Sequence, residues 1–191
     1  MKTDWQNVHS KIQEKRKKVT FSTMQIIAFG FLGVILIGSI LLFLPISNQK
    51  PIQYLDALFV SVSAVCVTGL VTISPAAQFT VFGKIVLLGL IQIGGLGVIA
   101  CTMAVFLAIR KKITMKSRVM IQQTYNLETL SGMVRFIIRI LKGTVLVEGI
   151  GAVLFAFHFV PEYGFIKGVA YGIFHSVSAF CNAGIDVLGT S

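Results

Sequence analysis

The stretch FVSVSAVCVTGL at residues 59–70 recurs as FHSVSAFCNAGI at residues 174–185, an offset of 115 positions. Seven of the twelve aligned positions are identical: Phe59/Phe174, Ser61/Ser176, Val62/Val177, Ser63/Ser178, Ala64/Ala179, Cys66/Cys181 and Gly69/Gly184. Self-similarity of this kind is the usual mark of a duplicated structural unit. We therefore interpret the chain as two copies of one unit, in which an apolar run leads into a glycine.

The composition indicates an integral membrane protein. The chain has 191 residues, of which 55% are hydrophobic and only 13% are charged, whereas soluble domains carry about 25% charged residues. Two runs without charge, 19–49 and 85–109, each exceed the ~20 residues that cross a bilayer core. The first run follows a polar leader and is too long for a cleaved signal peptide.

The net charge of +10 comes mainly from two basic clusters that flank the apolar runs. Of the 17 lysines and arginines, 14 belong to them: Lys2, Lys11, Lys15, Arg16, Lys17, Lys18, Arg110, Lys111, Lys112, Lys116, Arg118, Arg135, Arg139 and Lys142. Basic residues beside spans mark the cytoplasmic side of a membrane, so this distribution argues against a nucleic-acid partner. The cysteines, Cys66, Cys101 and Cys181, all lie in apolar stretches and are typical of packing residues rather than of disulfides.

The topology follows from placing both basic clusters inside the cell. An even number of spans must then separate Lys18 from Arg110, so the apolar segment between the first span and its return cannot be a third span. We expect that segment to enter from outside, turn back and leave on the same side, because its apolar part has only half-helix length. All four prolines, at positions 45, 51, 75 and 161, then lie outside.

The loop after each half-helix offers an environment for a cation. Backbone outside a helix is tolerated at membrane depth only where it is buried in protein or lines a water-filled path. The C-terminal end of the half-helix carries roughly half a negative charge, and free carbonyl oxygens can replace the hydration shell of an ion. Gly69 and Gly184 would supply the positive φ that turns these carbonyls toward an axis. The alternative is that the SVSA runs are merely small residues at helix contacts.

The charged and polar residues near the loops have more than one interpretation. The first loop, VTGLVT, carries no charge, and the second, NAGIDV, carries Asp186 alone, which we place at an outer vestibule where it would concentrate cations. His175, which stands where the first copy has Val60, would either pack or hydrogen-bond within the half-helix, or titrate in the physiological range. Glu148 would either pair with a neighbouring helix or take part in transport.

The predicted fold is an all-α integral membrane protein with repeated span–pore-helix–filter-loop–span units, one complete and one incomplete. A basic cytoplasmic amino terminus (1–20) precedes the first repeat (21–112), a cytoplasmic amphipathic connector (113–135) and the second repeat (136–191). The predicted elements are the outer span 24–44, pore helix 55–66, filter loop 67–74 and inner span 80–109, then the outer span 136–160, pore helix 167–181 and filter loop 182–187. Three glycines of the inner span, Gly94, Gly95 and Gly97, are expected to allow close packing on the half-helix, or else to form a hinge.

The motifs TGL after SVSAVCV, NAG after SVSAFC, and LIQIGGLGVIA at 90–100 resemble the Trk/Ktr/HKT superfamily of potassium transporters, most of all the Ktr-type membrane subunit. The resemblance extends over essentially the whole chain. It implies four such repeats in one polypeptide around one pore, potassium as the substrate, and a single key glycine in each filter loop. The filter residues that it implies are Val67, Thr68, Gly69, Leu70, Asn182, Ala183, Gly184 and Ile185.

The resemblance also implies a homodimeric membrane subunit gated by a cytoplasmic nucleotide-binding regulatory ring. The chain has no phosphate loop and no Rossmann glycine pattern of its own, so we expect no cofactor in this chain and no transition-metal site. We expect a multi-pass protein of the plasma membrane, in contact with lipid, with a cytoplasmic amino terminus. Since four repeats at an offset of 115 residues would need about 460, we expect an amino-terminal fragment.

Other functions remain open at this point. One is a sodium or sodium/potassium-coupled transporter of the same fold. Another is an intramembrane enzyme that uses Cys66 or Cys181 with His175, or Asp56 with Asp186, and a third is a non-conducting adaptor. Cysteine–histidine catalysis requires hydrogen-bond reach, but His175 and Cys181 would lie about 240° apart on one helix. The recurrence of both cysteines without a histidine at position 60 also favours packing.

Overall fold

The computed structural model describes residues 23–97, 100–101 and 133–189. The predicted amino terminus (1–20), nearly all of the connector (113–135) and the end of the predicted inner span lie outside this part of the chain. Within it the secondary structure is helical, and the one β feature is an isolated antiparallel bridge between Asn48 and Phe79. The prediction of an all-α fold is confirmed for these residues.

The described residues form six α-helices that range in length from 4 to 31 residues. We number them α1 (Thr23–Phe43), α2 (Tyr54–Val65), α3 (Pro75–Gln78), α4 (Val81–Leu96), α5 (Met133–Tyr163) and α6 (Phe165–Phe180). A 3₁₀ turn, Pro45–Ser47, connects α1 to the segment before α2. The half-helices predicted at 55–66 and 167–181 correspond to α2 and α6, and the outer spans predicted at 24–44 and 136–160 correspond to α1 and α5.

Apolar surface on these helices is largely left uncovered. Among the described residues one helical stretch, Arg135–Tyr163, is long and apolar enough to cross a membrane by length and composition, and only 6% of its most apolar window is buried. Three shorter apolar helical stretches accompany it: Ile27–Phe43, Tyr54–Val65 and Val81–Leu96. Exposed apolar side chains of this kind suit a lipid surrounding rather than water.

Two helix ends differ from the sequence-based prediction. The inner span was predicted at 80–109. Helix α4 covers its first part and ends at Leu96, where Gly97 adopts φ 83°, a conformation open to a residue without a Cβ. Residues 100–101 are again helical, and the rest of the predicted span lies outside the described residues. The second outer helix was expected to end before Pro161. The structure instead has Pro161 inside α5 and changes direction at Gly164, whose φ is 80°.

The segment between α1 and α4 begins and ends at neighbouring positions, which hydrogen bonds hold together. The amide of Thr80 donates to the Ser47 carbonyl over 3.0 Å, and the amide of Gln49 donates to the Gln78 carbonyl over 2.8 Å. The Thr80 hydroxyl also donates to the Ile46 carbonyl over 2.7 Å. These bonds hold the end of α1 beside the start of α4, so α2 and the loop after it form a closed excursion between these two helices.

Small residues allow α2 to lie directly against its neighbours. Ala57, Val60 and Ala64 follow one another at helical spacing on the inner face of α2 and have no exposed surface. The Ser61 hydroxyl donates to the Ile35 carbonyl of α1 over 2.8 Å. This face of α2 is therefore fixed by packing together with a hydrogen bond between helices.

The second copy repeats this arrangement with glycines. A Cβ added to Gly168 would lie 2.5 Å from Val160 Cα, and one added to Gly172 would lie 2.9 Å from the α5 backbone. The Ser176 hydroxyl, at the position equivalent to Ser61, donates to the Glu148 carbonyl over 2.6 Å. The half-helix α6 is thus held against α5 much as α2 is held against α1.

Candidate functional site

The loops that follow α2 and α6 share one pattern of backbone hydrogen bonds. Each half-helix ends in a cysteine, with φ −84° at Cys66 and −74° at Cys181. Three matched pairs of bonds follow at the same offset: Cys66 N to Val62 O (2.8 Å) and Cys181 N to Val177 O (2.9 Å), Val67 N to Ala64 O (3.4 Å) and Asn182 N to Ala179 O (3.0 Å), Thr68 N to Ser63 O (3.0 Å) and Ala183 N to Ser178 O (2.8 Å). The sequence repeat is therefore also a repeat of backbone conformation.

The backbone dihedrals of the loops repeat as well. Gly69 has φ 75° and Gly184 has φ 65°, so both glycines adopt the positive φ that the sequence predicted. Two residues before each glycine, φ is positive again, at 56° for Val67 and 57° for Asn182. Asparagine tolerates this region, but a β-branched valine rarely enters it. A positive φ at Asn182 could have been suspected from the sequence, whereas nothing in the sequence indicated a positive φ at Val67.

The two loops meet at their glycines. A Cβ added to Gly69 would lie 2.5 Å from the carbonyl oxygen of Ala183 and 3.5 Å from Gly184 Cα. No real Cβ contact is as short as the first, so the space at Gly69 excludes any side chain. The chain therefore brings the backbones of two loops together although they are more than a hundred residues apart in sequence.

Helix α4 lies against the C-terminal ends of both half-helices. A Cβ on Gly94 would clash with the carbonyl group of Val65, whose carbon would be 2.9 Å away, and one on Gly95 would lie 2.6 Å from Cys181 Cβ. The close-packing interpretation of these two glycines is therefore what the structure shows. Gly97, by contrast, has open space around it and ends the helix.

One serine of each half-helix forms hydrogen bonds to the loop that follows it, and its partner in the loop differs between the two copies. In the first copy the Thr68 hydroxyl donates to the Ser63 hydroxyl over 3.0 Å. The second copy has Ala183 in place of the threonine, and Ser178 turns to the backbone of Ile185. Its hydroxyl donates to the Ile185 carbonyl over 2.9 Å and accepts from the Ile185 amide over 3.1 Å.

Asp186, at the end of the second loop, is paired with a half-helix residue. Its Oδ1 lies 2.9 Å from His175 Nε2 and accepts from the Leu188 amide over 2.7 Å. Nδ1 of His175 lies 2.9 Å from the Tyr171 carbonyl oxygen. The structure thus brings Asp186 together with His175, and of the two roles left open for His175 it supports hydrogen bonding within the second copy.

Cys181 is directed away from this histidine. Its thiol donates weakly to Gln92 Oε1 over 3.9 Å, and Gln92 Nε2 donates to Glu148 Oε1 over 2.9 Å. The described contacts of these side chains are thus with an amide of α4, which supports packing over a cysteine–histidine catalytic pair. Of the two roles left open for Glu148, the structure shows a partner on a neighbouring helix.

Neutral groups dominate both loops. Across residues 66–74 and 181–185 the side chains are apolar, hydroxyl, amide or thiol, and Asp186 follows at the end of the second. No group of three or more His, Cys, Asp or Glu side chains that could hold a metal ion occurs among residues 23–97, 100–101 and 133–189. What the loops offer to a ligand is mainly backbone carbonyl oxygen, which suits a hard monovalent cation.

Comparison with known proteins finds relatives along nearly the whole chain. The family model described as TrkH, cation transport protein, matches residues 5–191. The chain is 42% identical over 182 residues to the potassium/sodium uptake protein NtpJ of Enterococcus hirae, covering 94% of this chain and 40% of that protein. It is 40% identical over 171 residues to the Ktr system potassium uptake protein B of Bacillus subtilis, covering 90% and 38%. The corresponding protein of Vibrio alginolyticus is 34% identical over 177 residues, covering 93% and 39%.

Proposed function

Because this chain belongs to the TrkH family of cation transport proteins, we propose that it forms part of a path by which potassium enters the cell. The predicted resemblance to Trk/Ktr transporters is confirmed, and the family and these relatives are transporters rather than enzymes. A cation transporter of this family is a protein of the cell membrane. The observation that carries the proposal is the contact between the backbones of the two loops at Gly69 and Ala183.

The proposed mechanism relies on backbone oxygen. Helices α2 and α6 each direct a C-terminal end toward a loop, and the last turn of a helix carries partial negative charge. The loop carbonyls, held in place by the matched hydrogen bonds to the half-helices, would take the place of water around a dehydrated potassium ion. Since the carbonyls are neutral, they would hold the ion loosely enough for it to move on.

We assign the filter to the residues around the two glycines. The proposed lining residues are Val67, Thr68, Gly69 and Leu70 in the first loop, and Asn182, Ala183, Gly184 and Ile185 in the second. The vestibule role of Asp186 stays a prediction. The cytoplasmic placement of the amino terminus likewise rests on the basic clusters of the sequence.

The complete path requires more than two loops. The chain spans about 40% of the length of the relatives described above, so it accounts for a part of their structure. We propose that further loops complete the ring around the ion and that the membrane subunit is a homodimer. Two of the relatives are named as proteins of a Ktr system, and we propose that a cytoplasmic nucleotide-binding subunit gates the path.

A second candidate substrate has a specific observation in its favour. The relative from Enterococcus hirae is named for uptake of both potassium and sodium. A path that carries sodium, alone or coupled to potassium, would use the same loops, so the two candidates differ in ion preference rather than in fold. Measuring uptake of both ions by one protein separates them.

The proposal is tested by replacing Gly69 with alanine in the protein expressed from its complete reading frame. Rubidium and sodium uptake are measured in cells that lack their own potassium uptake systems, normalised to the amount of protein in the membrane. We expect Gly69→Ala to abolish selective uptake. The matched control is Gly33→Ala in α1, where a Cβ meets nothing within 4 Å and uptake should persist. Unchanged uptake and selectivity in Gly69→Ala would refute the filter assignment.

A further inference from the structure

The contact between the side chains of His175 and Asp186 joins the second loop to its half-helix. The two side chains are largely enclosed, with 17% of the histidine and 27% of the aspartate exposed. Asp186 follows Gly184 by two residues, and the same carboxylate oxygen also accepts from the Leu188 amide. A single carboxylate oxygen of Asp186 thus contacts both the half-helix and the segment that follows the loop.

Both ring nitrogens of His175 have a partner. Nδ1 lies 2.9 Å from the carbonyl oxygen of Tyr171, four residues earlier on α6, and Nε2 lies 2.9 Å from Asp186 Oδ1. The ring is therefore held between its own half-helix and the residue that ends the second loop.

Aromatic rings surround this imidazole. The ring centroids of Phe159, Phe174 and Phe155 lie 5.2, 6.0 and 6.2 Å from that of His175. Aromatic rings packed at such distances leave the side chain little freedom to turn away from Asp186. The aromatic surroundings and the carboxylate thus favour the same orientation of the ring.

The first copy has no counterpart of this pair. At the offset of 115 the equivalents of His175 and Asp186 are Val60, which is fully buried, and Val71, which is 41% exposed. The first loop is instead held by the bond from the Thr68 hydroxyl to Ser63. The second loop lacks that threonine, and its half-helix contacts it through two side chains: Ser178, which bonds to the backbone of Ile185, and His175, which contacts Asp186.

From this geometry we infer that His175 is a positioning residue that, through Asp186, holds the second loop in its ion-selecting conformation. The inference rests on the proposed function of the loops. It differs from the vestibule prediction because the Asp186 carboxylate already contacts the His175 ring and the Leu188 amide, so its effect is on loop geometry rather than on the local concentration of cations. His175 sets which ion passes, and does so without touching it.

The test uses the residues of the first copy as substitutions. His175→Val, Asp186→Val and the double variant are expressed from the complete reading frame, and the ratio of rubidium to sodium uptake is measured at equal protein in the membrane. We expect each single variant to lower this ratio by roughly three- to tenfold, which lies in the lower part of the range to which coupling energies between contacting residues correspond. Because the two residues act as one unit, the double variant should lower it no further than the more severe single variant.

Two further variants distinguish the loss of the contact with Asp186 from a loss of folding. His175→Gln keeps a donor near the position of Nε2 and should retain most of the selectivity, whereas His175→Asn is too short to reach Asp186 and should lose it. His158→Val, at an exposed histidine of α5, is the matched control and should leave the ratio unchanged.

The outcomes separate the inference from its rivals. Single effects that multiply in the double variant, or a ratio unchanged in every variant at normal protein levels, would overturn it. If Asp186 instead concentrates cations at a vestibule, Asp186→Val raises the apparent KM for rubidium with the ratio unchanged. If Gly69→Ala abolishes uptake while the pair variants change nothing, only this inference fails. If Gly69→Ala has no effect, the filter assignment itself fails.

Discussion

Gly69 and Gly184 adopt the same backbone conformation in different surroundings. Their φ angles, 75° and 65°, differ by little. A Cβ on Gly69 would lie 2.5 Å from a backbone carbonyl oxygen, whereas the nearest atom to a Cβ on Gly184 is 3.9 Å away. Gly69 is therefore required both by its dihedral angles and by its neighbours, and Gly184 by its dihedral angles alone. The two requirements can be separated by mutation.

Alanine at the two glycines is expected to have graded effects. Gly184→Ala forces a side chain into the left-handed region, at a cost of about 1–2 kcal/mol, and should reduce rubidium uptake while leaving a measurable rate. Gly69→Ala adds a clash with backbone that has no flexible side chain to move, and should abolish uptake. Rates are compared at equal protein in the membrane. Equal losses at the two positions would contradict the contact between the loops.

A second prediction concerns the strained residues two positions earlier. Val67 and Asn182 share φ near 56°, but only asparagine tolerates it well. Asn182→Val should therefore destabilise the protein by about 1 kcal/mol, seen as a lower midpoint of thermal unfolding in detergent. Val67→Asn should raise that midpoint. Each of the two variants serves as the control for the other. A lower midpoint in both would show that the packing contacts of Val67 contribute more to stability than its backbone strain costs.

The half-helices, the loops and their backbone conformations differ in how far they could be predicted from the sequence. The duplicated FxSVSAxC run and its glycine predicted two half-helices with two loops, because the pattern is local and appears twice. Positive φ at Val67 could not be predicted, since valine disfavours that conformation and tertiary structure imposes it. The position of Pro161 inside α5 was likewise against local preference.

Contacts between distant segments were the least accessible to sequence reasoning. Spacing alone gave no indication that Gly69 would face Ala183, because the two loops are brought together by packing of α4 against both half-helices. His175 and Asp186 were each noted as polar residues in an apolar region, but one lies on a helix and the other in a loop. Their spacing in the sequence therefore did not predict a contact. The backbone after Gly184 brings Asp186 back to His175, and this path is seen only in the structure.

A third prediction compares glycines on one helix. In α4, Gly94 contacts the backbone of Val65 at the end of α2, while Gly89 has open space around it. Gly94→Ala should push α4 away from the half-helix and lower both the amount of folded protein and rubidium uptake. Gly89→Ala should be tolerated, and should gain up to about 1 kcal/mol from helix propensity. Thermal unfolding and uptake are measured together, and a tolerated Gly94→Ala would contradict the packing of α4 described here.

The last prediction addresses the carboxylate in the middle of α5. Glu148 accepts from Gln92 Nε2 of α4, and a glutamine at 148 can accept the same bond through its side-chain carbonyl. Glu148→Gln should therefore leave rubidium uptake and its apparent KM nearly unchanged. Glu148→Leu removes the acceptor and should destabilise the protein by about 1 kcal/mol, with a lower midpoint of thermal unfolding. If Glu148→Gln instead lost uptake at a normal protein level, the negative charge itself would be needed for transport, and the role of Glu148 as a partner for Gln92 would be insufficient.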